Sequence, residues 1–392
     1  MTGSQKSEQN TRQKDCPFCS GDNTRAFISM LLPTILSACT CEEARTSKIF
    51  RFEASLCLDC GLGYNSMPLP DHVLADIYRN YHYIRPQKGI GTTKYEAMIK
   101  CLQRHTSKEQ HLVEIGSSDG YLIDLLVACG YHNIEGIEPS KEGVLAQNRH
   151  LIRNEFFGDN TQFDRPVDAF FLMHVLEHFS SPAQITALMK KNLTRNGKIL
   201  FEVPNFGGFH HQHLLFFNRP FVYRLAATTG LSVIDIEDSG PALRVVMQNC
   251  DHTATRDEHG QQSIESLLSL AKQAEQRQIN IHKELAEFLT AVSGRRVYWW
   301  GTGSTSIIAL ANIPAEQLQK LQLNLIDGDM ERKGLNLPIS GLEGLAINHP
   351  TEIISRFSRN DALVIASSFS SEIIASLQGK CEIPGQIFSI NL

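Results

Sequence analysis

Residues 111–140, HLVEIGSSDGYLIDLLVACGYHNIEGIEPS, decide the fold of this chain. The apolar run 112–115 predicts a buried strand, and a turn rich in glycine and serine follows over residues 116–120. Residues 121–129 have the periodicity of a helix, and residues 133–137 predict a second strand that leads into an acidic residue. This succession predicts a parallel α/β unit with an adenosine-sized crevice at the strand tips.

The glycine spacing indicates which nucleotide this unit binds. A dinucleotide fold typically has G-x-G-x-x-G, whereas this turn reads Glu114-x-Gly116-x-x-x-Gly120. Gly116 and Gly120 allow the backbone to pass close to a ligand. Glu138, which lies 22 residues beyond Gly116, is placed to accept hydrogen bonds from both ribose hydroxyls. The alternative is a Rossmann-like turn that holds no ligand.

Together these residues resemble the glycine turn of the class I S-adenosylmethionine (SAM) methyltransferases. In that setting Glu114 lies near the ammonium and sulfonium charges of the cofactor, and Glu138 holds its ribose. Many of these enzymes place an Asp or Asn at the third strand tip, beside the adenine amino group. The resemblance makes Asp159 the candidate for this contact, and the alternative is an ordinary turn aspartate.

Length and composition bound the remaining architecture. With 392 residues, 42% of them hydrophobic, and a net charge of −5, the chain predicts two or three domains of ordinary soluble composition. It has no long run of lysine and arginine, which argues against nucleic acid as the main partner. No apolar stretch approaches the roughly 18 residues of a membrane span. Residues 1–14 predict a mobile polar tail without the features of a signal peptide, so we expect a cytoplasmic protein.

The cysteines form a metal-binding pattern. One C-x-x-C pair consists of Cys16 and Cys19, and the other consists of Cys57 and Cys60. Each pair places two thiolates on one tight turn, and two such pairs complete a tetrahedral zinc site. Because four protein ligands leave no open position, the predicted zinc is structural, within a module over residues 15–70. The alternative is that one pair is degenerate and no metal binds.

Two histidines follow the fourth predicted strand, residues 168–173. They belong to the segment HVLEHF, which begins at His174 and resembles the methyltransferase motif at the sulfur end of the cofactor. His174 either packs beneath the cofactor or takes part in catalysis. We expect His178 to face the cleft.

A second histidine cluster, His210, His211 and His213, follows the fifth predicted strand, residues 198–203. Histidine titrates near neutral pH and is therefore suited to act as a general base. The spacing H-H-x-H differs from that of zinc-binding helices, and the segment has no nearby carboxylate in the sequence. Three interpretations stay open, namely base and substrate contact, packing, and metal binding, and we favour the first.

The rest of the sequence predicts the boundaries of the domains. Residues 71–250 form the methyltransferase domain, residues 251–293 a connector with a long amphipathic helix, and residues 294–392 a second Rossmann-like domain. The last domain contains the turn G-T-G-S, which is a weak fingerprint by itself. Tyr81 and Tyr83 lie in a loop early in the methyltransferase domain, where they either pack against a neighbour or cover the substrate.

The order of these parts resembles the three-domain C-methyltransferases that act on nucleotide-linked deoxysugars. The resemblance extends from Cys16 to about Ile390 and rests on C-P-F-C, C-L-D-C-G, E-I-G-S-S-D-G, G-I-E-P-S, G-T-G-S and I-D-G-D-M-E-R-K-G-L-N-L-P. It implies a third domain that mainly contacts the substrate. It also implies that a histidine after the fifth strand serves as base.

Compared residue by residue, the resemblance assigns that base to His213. Gln212 stands where the family has a glutamate, and His210 stands where it has a tyrosine. The family's H-G-G-S-x-R segment is represented by S-G-P-A-L-R, of which only the first glycine and the arginine match. The expected substrate contacts are Tyr81, Tyr83, Gln212 and Arg244.

We therefore expect SAM-dependent C-methylation of a nucleotide-linked sugar. In this mechanism His213 removes a proton next to a ketone, and His178 or His210 stabilises the enolate oxygen. The carbanion then attacks the methyl group in line, which requires alignment of carbon, methyl and sulfur. Two alternatives stay open: O- or N-methylation of another small metabolite, and a non-catalytic assembly protein that binds SAM or a nucleotide.

Overall fold

The computed structural model describes residues 10–79, 91–145, 149–249 and 263–390. Tyr81 and Tyr83 lie outside these residues, so their role stays a prediction. The strands are β1 (Thr24–Pro33), β2 (Ile49–Cys57), β3 (Gly63–Asn65), β4 (Leu112–Ile115), β5 (Ile134–Ile137), β6 (Ile152–Arg153), β7 (Val167–Met173), β8 (Leu193–Pro204), β9 (Leu215–Phe216), β10 (Leu231–Asp238), β11 (Ala242–Asn249), β12 (Arg296–Trp300), β13 (Gln322–Ile326), β14 (Ala362–Ile365) and β15 (Gln386–Ser389).

Helices and short 3₁₀ turns connect these strands. The helices are α1 (Cys41–Thr46), α2 (Asp71–Arg79), α3 (Thr93–His105), α4 (Tyr121–Ala128), α5 (Lys141–Leu145), α6 (Pro182–Asn192), α7 (Arg219–Thr229), α8 (Ile264–Ala291), α9 (Ser304–Ala311), α10 (Ala315–Leu318), α11 (Pro350–Ile353) and α12 (Ser370–Leu377). The 3₁₀ turns are Arg149–Leu151, Leu176–His178, Met330–Arg332 and Ile354–Arg356.

A seven-stranded sheet in the order β10-β11-β8-β7-β4-β5-β6 forms the central layer. The five strands from β8 to β6 run parallel, whereas β11 is antiparallel to both of its neighbours. The inner strands β4 and β7 are almost wholly buried apolar runs, as is usual for parallel strands covered on both faces. Strands β5 and β6 lie on one side of β4, and β7 and β8 lie on the other side. The strand order therefore reverses between β4 and β7, and the crevice there is the expected ligand position.

The insert between the two C-x-x-C pairs forms an antiparallel hairpin, β1 and β2, in which Thr24 lies opposite Cys57. This hairpin belongs to a four-stranded sheet in the order β1-β2-β3-β9. Its last strand comes from the segment that follows the second histidine cluster, and Leu215 pairs with Tyr64 of β3. The N-terminal sheet is therefore completed by residues of the predicted methyltransferase domain. This pairing ties the histidine cluster to the cysteine module.

The predicted connector contains one continuous helix, α8, that begins after its N-cap residue Ser263. Leu267 and Ala271 pack against the N-terminal hairpin, whereas Leu285 and Leu289 pack in the core of the C-terminal domain. The helix thus joins two hydrophobic cores. None of the helices in the described ranges combines the length and apolar character that a membrane span needs.

The C-terminal domain is built on a parallel sheet in the order β13-β12-β14-β15. Gly301, after β12, has φ +101°, and a Cβ there would lie 2.5 Å from the carbonyl oxygen of Ala366. Asp327, at the tip of β13, accepts hydrogen bonds from the N–H and the hydroxyl of Thr302 at 2.9 and 2.5 Å. Arg332 lies 3.3 Å from the same carboxylate. Asp327 therefore stabilises the turn that follows β12.

Candidate active site

A cavity of about 340 Å³ opens at the carboxyl edge of the central sheet, beside the tips of β4, β5 and β7. This is the position that the sheet topology predicts for a ligand. The predicted site residues that line it are Glu114, Gly116, Glu138, His174, His178 and Gln212. The sheet thus brings together residues that are far apart in the sequence.

Glu138 is held in a fixed orientation by two backbone donors. Its Oε2 accepts the N–H of Ser118 and its Oε1 accepts the N–H of Ser140, both at 2.8 Å. The turn opposite requires glycine, because Gly116 has φ +74° and a Cβ there would lie 2.5 Å from a methyl carbon of Val175. The carboxylate is therefore positioned before any ligand arrives.

Glu114 is a buried carboxyl at the end of β4. Its Oε2 has no hydrogen-bond partner among the described residues. Burial, reinforced by Glu138 and Asp119, raises the pKa of Glu114 well above its usual value. A cationic ligand group in the cavity would supply the missing partner and the missing counter-charge. Glu114 and Glu138 therefore fit the two ends of the predicted cofactor, the ammonium and the ribose.

Asp159 does not fit its expected role. It is exposed and does not line the cavity, whereas Phe156 and Phe157 do. The reason is that β6 ends at Arg153, so the residues nearest to the strand tip come earlier in the chain than expected. The structure offers aromatic faces in place of a carboxylate at this end of the cavity.

His174 lies between two buried carboxylates. Its Nδ1 is 3.5 Å from Glu177 Oε1, and its Nε2 is 3.2 Å from Glu202 Oε1. Burial by itself lowers the pKa of His174, but the carboxylates of Glu177 and Glu202 outweigh burial and raise this pKa to about 9. His174 is therefore an imidazolium at neutral pH that borders the cavity.

Arg244, which was predicted to contact the substrate, does not line the cavity. The sheet register explains its placement, since Arg244 stands opposite Glu202 on β8 and opposite Glu237 on β10. Its guanidinium pairs with both carboxylates. Arg244 thereby compensates the charge of the glutamate that contacts His174.

His178 borders the cavity with one ring nitrogen already engaged. Its Nδ1 lies 2.8 Å from the carbonyl oxygen of Gln212, which also accepts a hydrogen bond from the Tyr78 hydroxyl at 2.9 Å. A carbonyl oxygen only accepts, so the proton of the neutral ring is on Nδ1. This leaves the lone pair of Nε2 free as a base or a metal ligand. Gln212 therefore contributes through its backbone.

The first two members of the second histidine cluster are packed inside the protein. His211 is fully buried, and its ring meets that of Phe52 edge-on with centroids 5.8 Å apart. His210 lies with its ring centroid 3.9 Å from that of His213, and burial lowers the pKa of His210 to about 3. His210 does not line the cavity, so its position does not support the expected role at the enolate oxygen.

His213 lies one layer behind His178, with ring centroids 4.9 Å apart, and does not itself line the cavity. Burial and the neighbouring His210 lower its pKa well below the usual value. The fold brings a carboxylate to this cluster that the local sequence lacks, because Glu177 Oε1 is 3.8 Å from His213 Nε2. The N–H of Leu214 donates to the Glu177 carbonyl at 2.9 Å, which joins the two histidine segments.

Sequence reasoning missed several residues of this site. Tyr78, Lys94 and Tyr95 line the cavity, and Glu177 lies beneath it. The Lys94 ammonium is 5.2 Å from the ring centre of Tyr95 and 5.8 Å from that of Phe369, which belongs to the C-terminal domain. The available signal for Glu177 was its position between two histidines in HVLEH. For Tyr78 and Lys94 the sequence offered only helical spacing.

The four cysteines of the predicted zinc site lie together. Their sulfur atoms are all within 4.8 Å of one another, with Cys16–Cys60 and Cys19–Cys57 distances of 3.5 Å. Sulfurs around one zinc ion lie roughly 3.8 Å apart, as follows from Zn–S bonds of about 2.3 Å. Each pair lies on its own tight turn, since the Ser20 N–H donates to the Cys16 carbonyl and the Gly61 N–H donates to the Cys57 carbonyl, both at 2.9 Å. The residues fit a structural zinc ion.

Residues 92–284 match the family model described as a methyltransferase domain. This match covers slightly less than half of the chain and includes the glycine turn and Glu138. Similar solved structures include a SAM-dependent methyltransferase from Aquifex aeolicus, with 13% identity and a TM-score of 0.33, over 40% of this chain and 97% of that chain. Another is magnesium protoporphyrin IX methyltransferase from Synechocystis PCC 6803 with bound SAM, with 12% identity and a TM-score of 0.36, over 46% and 98%. No curated protein matches the chain.

The matched range runs from the start of α3 into α8 and includes the whole cavity edge of the methyltransferase sheet. It includes neither the cysteine module nor the C-terminal domain. Those two parts nevertheless meet the methyltransferase domain, through β9 on one side and through Phe369 on the other.

Proposed function

We propose that this chain uses SAM to methylate carbon in a nucleotide-linked sugar, at a position next to a ketone. The observation that carries the proposal is His178, a cavity-lining imidazole whose Nδ1–H is fixed on a carbonyl so that Nε2 is free to accept a proton. Bound SAM would supply an electrophilic methyl group. Glu138 would hold its ribose, and Glu114 its ammonium.

In this proposal His178 takes the proton from the acceptor carbon. His174, placed between two carboxylates, carries a positive charge at the cavity wall and stabilises the enolate oxygen that forms. His213 lies behind His178 beside Glu177 and supports it, where the resemblance to sugar C-methyltransferases would make His213 itself the base. The proposed base is thus His178, which packs against His213 and lines the cavity.

Two features support an anionic, nucleotide-linked acceptor. Lys94 brings a cation to the cavity, and no ion pair joins it to a described carboxylate. Glu372 of the C-terminal domain accepts hydrogen bonds from Gly91 N–H at 2.6 Å and from the Thr93 hydroxyl at 2.7 Å, which docks that domain at the start of the helix carrying Lys94. A substrate that extends from the cavity toward the C-terminal domain fits this arrangement.

Methylation of a hydroxyl is the second candidate. It is favoured by Glu177, because a buried carboxylate beside His213 and near His178 adds negative charge to the cluster that must take the acceptor proton. A hydroxyl proton is more acidic than a carbon-bound proton next to a ketone, so a histidine supported by one carboxylate is a sufficient base for it.

Solvent exchange tests the base directly. A thymidine-linked 4-keto sugar is incubated with the full-length protein and S-adenosylhomocysteine in heavy water, and deuterium incorporation next to the ketone is followed by mass spectrometry. We expect incorporation with the natural chain, its loss in His178→Ala and its retention in His211→Asn. Labelled SAM with the 4-keto sugar and its 4-hydroxyl analogue then identifies the methylated atom. Label on neither acceptor would reject both candidates.

A further inference from the structure

Three side chains from two segments converge beneath the cavity: Glu177, His178 and His213. A carboxylate oxygen and one ring nitrogen from each histidine all lie within 4.8 Å of one another. Within this set the distance from His213 Nε2 to Glu177 Oε1 is 3.8 Å. Two imidazoles and one carboxylate are a common ligand set for divalent transition metals.

Glu177 provides an independent observation. The residue has no exposed surface, and neither of its carboxylate oxygens has a hydrogen-bond partner among the described residues. Its nearest cationic contact, His174 Nδ1, is at the long distance of 3.5 Å. A fully buried carboxylate without hydrogen bonds is costly unless another group neutralises it. His174 supplies counter-charge to Glu177 but no hydrogen bond, so both carboxylate oxygens still lack a direct partner among the described residues.

We propose that Glu177, His178 and His213 bind a divalent transition metal ion, with zinc as the representative probe. Nitrogen and oxygen ligands of one zinc ion lie roughly 3–3.5 Å apart, because each is about 2.0–2.2 Å from the metal. The three ligand atoms would therefore move inward by only about 1 Å. This centre is separate from the four-cysteine site, which lies in the N-terminal module.

The surroundings of the three ligands match those of metal-bound residues. Metal-binding histidines usually donate their second N–H to a carbonyl or carboxylate, and His178 Nδ1 is 2.8 Å from the Gln212 carbonyl. Ligand carboxylates are usually held by a further partner, and His174 stands at that position beside Glu177. His174 is in turn positioned by Glu202, which pairs with Arg244. Positive and negative charges therefore alternate from Arg244 through Glu202, His174 and Glu177 to the proposed ion.

The inference shares its residues with the proposed function and rests on that function only for the location of the acceptor. Without an ion, His178 is the base. With an ion, His178 and His213 would become ligands, so His178 would no longer accept a proton, and the ion would lie closest to the cavity at His178. A metal ion there lowers the pKa of a bound hydroxyl or stabilises an enolate oxygen. The centre would thus favour acceptors that offer an oxygen next to the methylated atom.

Metal stoichiometry in the full-length protein tests the inference. The chain is dialysed against excess Co²⁺ or Zn²⁺, freed of loosely bound ion, and analysed for metal content. We expect two ions per chain. Cobalt in the four-cysteine site gives intense thiolate charge-transfer bands, whereas cobalt on nitrogen and oxygen ligands gives weak bands only. The two sites are therefore distinguishable in one spectrum.

Substitutions assign the second ion. Glu177→Gln and His213→Asn should each reduce the content from two ions to one and leave the thiolate bands intact, which also shows that the module is folded. His105→Asn is the matched control, because His105 Nε2 lies 2.8 Å from a carboxylate oxygen of Asp235 but belongs to no metal-ligand cluster among the described residues. This variant should keep two ions.

A natural chain that retains a single ion under excess metal overturns the inference, and so does a second ion that survives both substitutions. The proposed function fails differently. Methyl transfer by a protein with one ion leaves the proposed function standing and rejects the metal centre. Two ions without transfer to any nucleotide-linked sugar leave the centre standing and reject the proposed substrate.

Discussion

Replacing Glu138 with glutamine should weaken the binding of SAM and S-adenosylhomocysteine without preventing folding. In the natural protein one carboxylate faces the cavity and accepts the N–H groups of Ser118 and Ser140 at 2.8 Å each. The remaining lone pairs are available to ribose hydroxyls. A hydrogen bond to a charged group contributes about 1.5–3 kcal/mol, which corresponds to a roughly 10- to 150-fold loss of affinity.

The two consequences of this substitution are separable. The glutamine NH₂ group must face either the Ser118 or the Ser140 N–H, so one backbone donor loses its acceptor in both the free and the bound protein. That cost of about 1–3 kcal/mol falls on the free energy of unfolding. The loss at the ribose falls on the dissociation constant. Thermal unfolding and titration calorimetry therefore measure the two effects independently.

Glu135→Gln is the matched control. Glu135 lies on the same strand, β5, but contacts His111 at 2.8 Å and does not line the cavity. We expect lower stability with unchanged cofactor affinity in this variant. If Glu138→Gln binds S-adenosylhomocysteine as tightly as the natural chain, or if NAD binds the natural chain more tightly than SAM, the assignment of this crevice is refuted.

Four further predictions concern Glu114, the cysteine site and the histidines. Because the pKa of Glu114 is raised in the free protein, Glu114 must lose its proton when the ammonium of SAM binds, so SAM affinity should increase as pH rises toward that pKa. Calorimetry in buffers of different ionisation enthalpy should detect the released proton in the natural chain and not in Glu114→Gln. Without ligand the same carboxyl makes the fold less stable as pH rises from about 4.3, so Glu114→Gln should flatten the dependence of the unfolding free energy on pH. Cys57→Ser should lower both zinc content and the unfolding midpoint, whereas Cys41→Ser should change neither; full stability of a zinc-free chain would refute a structural metal. His178→Ala, which removes the proposed base, should lose roughly 10²–10⁴ in turnover with SAM binding kept, and near-normal turnover would exclude His178 as the base.

The central fold was predictable from local sequence because each element carries its own signal. The strand, turn and acid around Gly116 and Glu138 form a cofactor crevice through interactions over short sequence distances. The four cysteines were also predictable, since the two turns specify their own geometry and the hairpin between them brings the pairs together. In both cases the residues of the site lie within short motifs whose local geometry is set by their own sequence.

The failures have a different physical origin. Arg244 was expected at the substrate, but sheet register places it between Glu202 and Glu237, which are distant in the sequence. Asp159 was expected at the adenine, but a two-residue strand shifts the following turn. Both errors concern side chains whose neighbours are set by pairing between distant segments, and no local pattern reports that pairing.

Glu177 places a carboxylate next to His213, although position 212 is a glutamine. The resemblance to sugar C-methyltransferases expects a glutamate directly before His213, and this chain has glutamine there. The backbone nevertheless pins the segment to the 3₁₀ turn through Leu214 N–H and the Glu177 carbonyl, which brings a carboxylate within 3.8 Å of His213 Nε2. Gln212 accepts the Nδ1–H of His178 through its backbone carbonyl oxygen, a contact that does not depend on its side chain. The cluster therefore combines one carboxylate with two imidazoles, which is the ligand chemistry on which the proposed metal centre depends.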